Sequence, residues 1–279
     1  NIAQGFPRPE NLAIGRDLLA AVRGAGAIPA MIAVLDGSVR VGLSDAELER
    51  IAAAPDVGKC STRDLAWVTA TGGSGGTTVA ATARLALAAG IGVFATGGIG
   101  GVHRQFSGAP MVPDISADVP ELGRTPIAVI CSGAKSVLDL PATLELLETY
   151  GVPVIGYRTD AFPAFHAASS GLWLRQRIDD LPTLAAVVRA QRQLGLPGAV
   201  LVCNPPPVSV AMSREDVEGL VQQALAEAAA REIEGAAVTP FLLAALDRLS
   251  RGQTRVVNRA LAISNAELAA KLALALAGA

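Results

Sequence analysis

The sequence predicts an α/β fold, with a central, mostly parallel sheet flanked by helices on both faces and a helical C-terminal part. Three observations predict it. Short apolar runs bounded by Gly and Pro recur along the chain, they lack polar alternation, and longer helical stretches separate them. A strand that is apolar throughout is buried on both faces, as in a parallel sheet. Strand-then-helix order places function at the loops that leave the strand C-termini.

The expected strands are Ile28–Leu35, Ile91–Ala95, Ile127–Cys131, Val152–Ile155 and Ala199–Cys203. Expected helices include Asn11–Ala25, Thr78–Ala89 and Pro141–Tyr150, and Ser44-Asp45-Ala46-Glu47 reads as a capping box leading into Leu48–Ala54. Towards the C-terminus, Ser213–Ile233 and Ala260–Leu276 are Ala/Leu/Glu-rich helical segments joined through Val238–Leu243. They are expected to wrap the sheet or to make subunit contacts. No internal repeat is visible, and residues 1–279 read as one α/β domain.

Composition excludes several function classes. The chain is 51% hydrophobic and 17% charged with formal net charge -2, which is ordinary for a globular protein and lacks the basic footprint of a nucleic-acid binder. No nucleic-acid polymer is expected as a partner. Mean hydropathy is +0.42, but Gly, Pro, Arg and Asp break the apolar runs, so no membrane segment is read. Cys60, Cys131 and Cys203 lie far apart in or beside apolar runs, which suits buried thiols in a reducing compartment and no zinc site. No signal peptide is read at Asn1-Ile2-Ala3, and a cytoplasmic location is expected.

Lysine is the sharpest clue. Of 23 basic residues only Lys59, Lys135 and Lys271 are lysines. Arg stays protonated, whereas a desolvated Lys can lose its proton and act as a nucleophile or Schiff-base former. Lys135 belongs to Cys131-Ser132-Gly133-Ala134-Lys135-Ser136, the segment directly after the apolar run Ile127–Ile130, and Lys59 sits in Gly58-Lys59-Cys60-Ser61. A surface amine is the competing reading for both, and Lys271 on the last helix reads as a solvated charge.

Glycine-rich turns are the second clue. Gly72-Gly73-Ser74-Gly75-Gly76-Thr77-Thr78 precedes a helix and offers backbone N–H groups to a phosphate, and Thr96-Gly97-Gly98-Ile99-Gly100-Gly101-Val102-His103 follows a buried run. Either can equally be a tight turn. Asp114 and Asp118 stand four residues apart, so on a helix they would share a face and suit a hard cation completed by water; otherwise Asp114 is a helix cap. Of the two histidines, His103 and His166, the first lies beside a glycine turn and is the expected functional one.

Together the segments Gly5–Asn11, Ala95–Arg104, Asp114–Asp118, Ser132–Ser136 and Thr239–Leu243 resemble the pseudouridine-5′-phosphate glycosidase family, also called the indigoidine synthase A family, and the resemblance runs from Ile2 to the final helix. It implies that Lys135 forms an imine with C1 of ribose 5-phosphate, that Lys59 holds or protonates the substrate, and that Asp114 binds manganese (Mn2+) largely through water. Val79 and the run Ser116-Ala117-Asp118 would line the sugar-phosphate site and Asn258 would approach the base, while Thr96 and His103, from the glycine turn, are further substrate-binding candidates. The implied reaction is reversible cleavage of pseudouridine 5′-phosphate to uracil and ribose 5-phosphate, because an iminium at C1 is an electron sink that lets an inert C–C bond break. A homotrimer is implied as well. The family's general acid, a glutamate, falls before Asn1, Gln4 stands where relatives often have histidine, and the Gln105–Pro113 loop is longer than usual.

Two other readings remain open at this point. A C-glycosynthase would run the same imine chemistry to attach ribose 5-phosphate to an aromatic natural product, in a wider apolar slot than uracil needs. A non-catalytic sugar-phosphate binder would have no need of Lys where Arg serves.

Overall fold

The structure, a computed structural model, describes Ile2 and residues 5–54, 57–104, 114–233 and 238–278. Five parallel strands form its centre, in the order Gln176–Ile178, Val154–Tyr157, Val200–Cys203, Ala128–Cys131, Val93–Ala95. Side chains alternate between two cores. Val129, Cys131, Leu201 and Cys203 face one, with Leu122, Leu147 and Val221 from the helices Asp118–Leu122, Leu140–Thr149 and Arg214–Ala230. Ala128, Ile130, Val200 and Val202 face the other, against Leu184 and Val188 of Leu181–Gln193 and Leu268 and Leu272 of Gln253–Ala277. Burial on both faces is why these strands read as unbroken apolar runs.

A second, four-stranded sheet lies in the order Ser38–Val41, Ile32–Leu35, Gly75–Thr77, Gly58–Cys60. It takes the first expected strand out of the parallel sheet: Ile32–Leu35 pairs antiparallel with both neighbours, and Ile28 is 94% exposed. The turn explains the hairpin. Asp36 and Gly37 both have positive φ, 47° and 72°, the two-residue turn whose twist matches that of flanking strands. Lys59 sits on the edge strand Gly58–Cys60, which pairs in parallel with Gly75–Thr77.

The capping box forms as expected, with Ser44 Oγ accepting from the Glu47 N–H at the start of Asp45–Ala53. Residues 238–243 are not a linker but the first turns of the helix Val238–Leu249. The last helix, Gln253–Ala277, is longer than expected and is long and apolar enough by length and composition to cross a membrane, a run the sequence reading did not single out. Its place in the fold is that of a core helix. Val257, Leu261, Asn265 and Leu272 are buried, and it packs on helix Glu10–Gly24, on Leu181–Gln193 and on strand Val93–Ala95. All three cysteines are buried free thiols, and Lys271 is exposed.

Candidate active site

Lys135 is positioned by the loop leaving strand Ala128–Cys131. Gly133 takes a φ of 77°, and a Cβ there would overlap the Pro163 carbonyl, so the turn requires glycine. The loop is then stitched to the neighbouring glycine turn. Ile99 N–H donates to Gly133 O at 3.1 Å and Lys135 N–H to Ile99 O at 3.2 Å. Both loops leave strand C-termini of the parallel sheet, where such folds place their sites.

Both turns open into one cavity of about 1330 Å³, whose walls include Lys59, Val79, Thr96, His103, Asp114 and Lys135. Ser116, Ala117 and Asp118 line it too. Asn258 is set back: its Nδ2 donates to Gly5 O at 3.4 Å, and it flanks Gly97. Gln4 and residues 105–113 lie outside the described residues.

Desolvation pushes the Lys135 ammonium below its ordinary pKa of 10.5; Asp118 opposes that shift and Lys59 adds to it by repulsion. A larger fraction of Lys135 is therefore neutral amine near neutral pH. His103 is held below 6.5, chiefly by burial, with Asp114 opposing and Lys135 and Lys59 adding. Its Nε2 lies 3.9 Å from Asp114 Oδ2.

Asp114 and Asp118 do not share a helix face, contrary to one sequence expectation. Asp114 precedes the antiparallel bridge Ile115 makes with Val102, and the helix begins only at Asp118. Nor does Asp114 cap that helix, whose N-cap is Ala117. Asp118 is buried, and its carboxylate accepts the N–H of Ala80 at 2.9 Å and of Gly100 at 2.8 Å. A Cβ on Gly100 would overlap Ser116 Oγ, which explains the glycine.

Most of the turn from Gly72 to Gly76 serves the second sheet. Gly73 O accepts from Gly37 N–H in the hairpin at 2.7 Å, and Gly75 begins a strand packed on Cys60. Only its far end reaches the cavity, where Thr78 caps the helix Val79–Ala88 by accepting from Ala81 N–H. The neighbouring Ser61, whose Oγ lies 3.3 Å from that of Thr78, was missed by sequence reasoning, whereas Thr78 closes the glycine-rich segment read above as facing a phosphate. Asn265 was missed outright: from the last helix its Nδ2 donates to Thr96 O at 2.8 Å and lies 3.1 Å from Ser132 Oγ, joining the roots of both active loops.

The sequence model for indigoidine synthase A-like proteins matches residues 1–275. The chain belongs to that family. It is 51% identical to a pseudouridine-5′-phosphate glycosidase of Herpetosiphon aurantiacus over 99% of this chain and 90% of that protein, and 50% identical to one of Symbiobacterium thermophilum over the same shares. Among solved structures, it resembles the prealnumycin C-glycosynthase AlnA in complex with ribulose 5-phosphate, with TM-score 0.90 and 40% identity over 99% of this chain and 89% of that one. An indigoidine synthase A-like protein of Thermotoga maritima gives TM-score 0.89 and 33% identity over 99% and 90%. The family member described here thus shares its α/β framework with a protein solved in complex with ribulose 5-phosphate.

Proposed function

We propose that this protein makes and breaks the C–C bond at C1 of ribose 5-phosphate, cleaving pseudouridine 5′-phosphate to uracil and ribose 5-phosphate. The observation that carries the reading is a desolvated lysine, Lys135, at a strand C-terminus in the same cavity as a second lysine, Lys59. In cleavage, Lys135 Nζ attacks C1, the C1–O4 bond breaks, and O4 takes up a proton as the new C1–N ammonium gives one up. The nitrogen lone pair then forms C=N as the C1–C5 bond electrons return to the uracil ring, whose C5 has taken a proton. Water hydrolyses the imine, freeing the aldehyde and the amine. A neutral amine is required at the first step, and the lowered Lys135 pKa supports it.

Lys59 is suited to the substrate's anionic end, and Val79 opens a helix whose N-terminus favours a phosphate. Thr96, His103, Ser116 and Ala117 would complete the sugar pocket, with Asn258 towards the base and Asp118 holding the frame. Among the described residues no group of three His, Cys, Asp or Glu could cage a metal ion. One exposed carboxylate, Asp114, fits a cation that keeps most of its water, and manganese held there would supply positive charge beside the substrate. The reading carries with it a homotrimer and a cytoplasmic location. A trimer interface would give the exposed Ile28 and Leu274 a partner, and light scattering should return three times the chain mass.

A second reading, synthesis of a C-glycoside of a larger aromatic acceptor, is favoured by the cavity's size, which exceeds the roughly 300–1,000 Å³ of ordinary ligand pockets. One experiment addresses both. The protein is incubated with manganese and pseudouridine 5′-phosphate, and separately with ribose 5-phosphate and borohydride. Uracil release together with a reduced ribose adduct on Lys135 is expected. Turnover without any adduct, or an adduct on Lys59, overturns the assignment; an adduct without uracil release points to a different aglycone.

A further inference from the structure

The residue after the reactive lysine makes a contact that the proposed chemistry does not use. Ser136 is buried, and its Oγ lies 3.0 Å from His166 Nδ1. His166 is buried too, on a loop that runs directly beneath the lysine loop. Phe165 N–H donates to Ser132 O at 3.1 Å, and Ala164 bridges Gly133. The ring of Phe165, edge-on to His166 with centroids 4.7 Å apart, lies where a Cβ on Gly98 would clash. Two consecutive side chains therefore support the two active loops, Phe165 under Gly98 and His166 under Ser136.

Phe165 adopts a φ of 61°, a left-handed conformation that an aromatic residue takes only where its surroundings dictate it. Ser136 is fixed at its other end as well, because its carbonyl accepts from Arg104 Nη2 at 3.3 Å and Arg104 is paired with Glu218. The residue that follows Lys135 is thus held at both side chain and carbonyl. A buried hydroxyl and imidazole cost desolvation that two apolar residues would avoid, and what they return is direction.

We propose that His166 is a positioning residue for Lys135, acting through the Ser136 hydroxyl to fix the loop from which the amine attacks C1. This rests on the imine reading of Lys135. Burial pushes the His166 pKa down to about 3, so the ring stays neutral across the working range and the contact does not switch with pH.

The test uses the full chain and trapping of ribose 5-phosphate by borohydride, with the adduct located by mass spectrometry. His166→Phe keeps the ring and its packing on Phe165 but removes the polar partner, His166→Asn keeps a polar atom near the Nδ1 position, and Ser136→Ala removes the other half. The phenylalanine and alanine variants should each trap about tenfold to a hundredfold more slowly per folded molecule, with the ribose 5-phosphate concentration for half-maximal trapping within about twofold of wild type. His166→Asn should recover most of the rate. If His166→Phe fails to fold, Ser136→Ala carries the test. Wild-type trapping rates in Ser136→Ala with only a lowered melting temperature would make the pair merely structural and overturn the proposal. Absence of an adduct on Lys135 in the wild-type protein would instead sink the imine reading, and the positioning role with it.

Discussion

The carboxylate of Asp118 accepts the N–H of Ala80 with one oxygen and that of Gly100 with the other. One side chain thereby joins the start of helix Val79–Ala88 to the glycine turn that leads to His103. Both of its oxygens are committed to the backbone, so Asp118 serves the cavity by holding its walls while its charge partly sustains the Lys135 proton.

Asp118→Asn should be costly for that reason. The amide can keep one acceptor but turns its NH2 towards the other N–H, leaving a buried donor unsatisfied at about 1–3 kcal/mol. Chemical denaturation should show a loss of that size with an unchanged denaturant slope. The variant should also trap ribose 5-phosphate more slowly, because helix and turn lose their common anchor. Unchanged stability would mean that the two amides find other acceptors.

Burial of His166 gives a pH signature with a definite sign. Its pKa is about 3 in the fold against an ordinary 6.5, so between these values the unfolded chain binds more protons. Stability is then complete above about pH 6.5 and falls as pH drops towards 3, with a slope of at most about 1.4 kcal/mol per pH unit from this residue. His103, also depressed, acts in the same direction. Melting temperature should fall between pH 6.5 and 5, where few carboxylates titrate, and the decline should be shallower in His166→Asn. Equal slopes in the two proteins would show that His166 escapes burial before unfolding.

The parallel sheet was legible in the sequence because its inner strands feed two cores and so carry no polar residues. The edge strand Gln176–Ile178 was not, since two of its three residues are exposed. Ser38–Val41, exposed throughout, was silent for the same reason, and Gly75–Thr77 because its glycines leave almost no side chains to pattern. Spacing misled at Asp114 and Asp118, where four residues suggested a helical face but the chain forms a bridge first. The lysines stood out because their chemistry is rare in a chain so rich in arginine. Ser136 and His166 lie 30 residues apart and Ser132 and Asn265 lie 133 apart, so no local pattern could join them.

A metal held by Asp114 should be weak and exchangeable, since one carboxylate cannot replace a cation's water shell. Manganese binding, followed by the paramagnetic signal of the free ion, should disappear in Asp114→Ala. Pseudouridine 5′-phosphate cleavage should lose its dependence on added manganese in the same variant. Retention of both would leave Asp114 as no more than a partner for His103.

Lys59 and Lys135 should respond differently to arginine, and the difference separates charge from nucleophilicity. Guanidinium keeps the positive charge but, with a pKa above about 12, cannot become a neutral amine. Lys135→Arg should abolish turnover, by several orders of magnitude on the transition-state scale where each tenfold is about 1.4 kcal/mol, while still binding ribose 5-phosphate. Lys59 lies on an exposed strand at the cavity wall, so Lys59→Arg should retain affinity and lose rate only if Lys59 relays a proton. Removing the charge is a different test. Lys59 repulsion is one of the influences that lower the Lys135 pKa, so Lys59→Gln should raise it and shift the pH profile of borohydride trapping to higher pH. An unshifted profile would mean that desolvation alone prepares the amine, and near-normal turnover by Lys135→Arg would remove the imine from the mechanism.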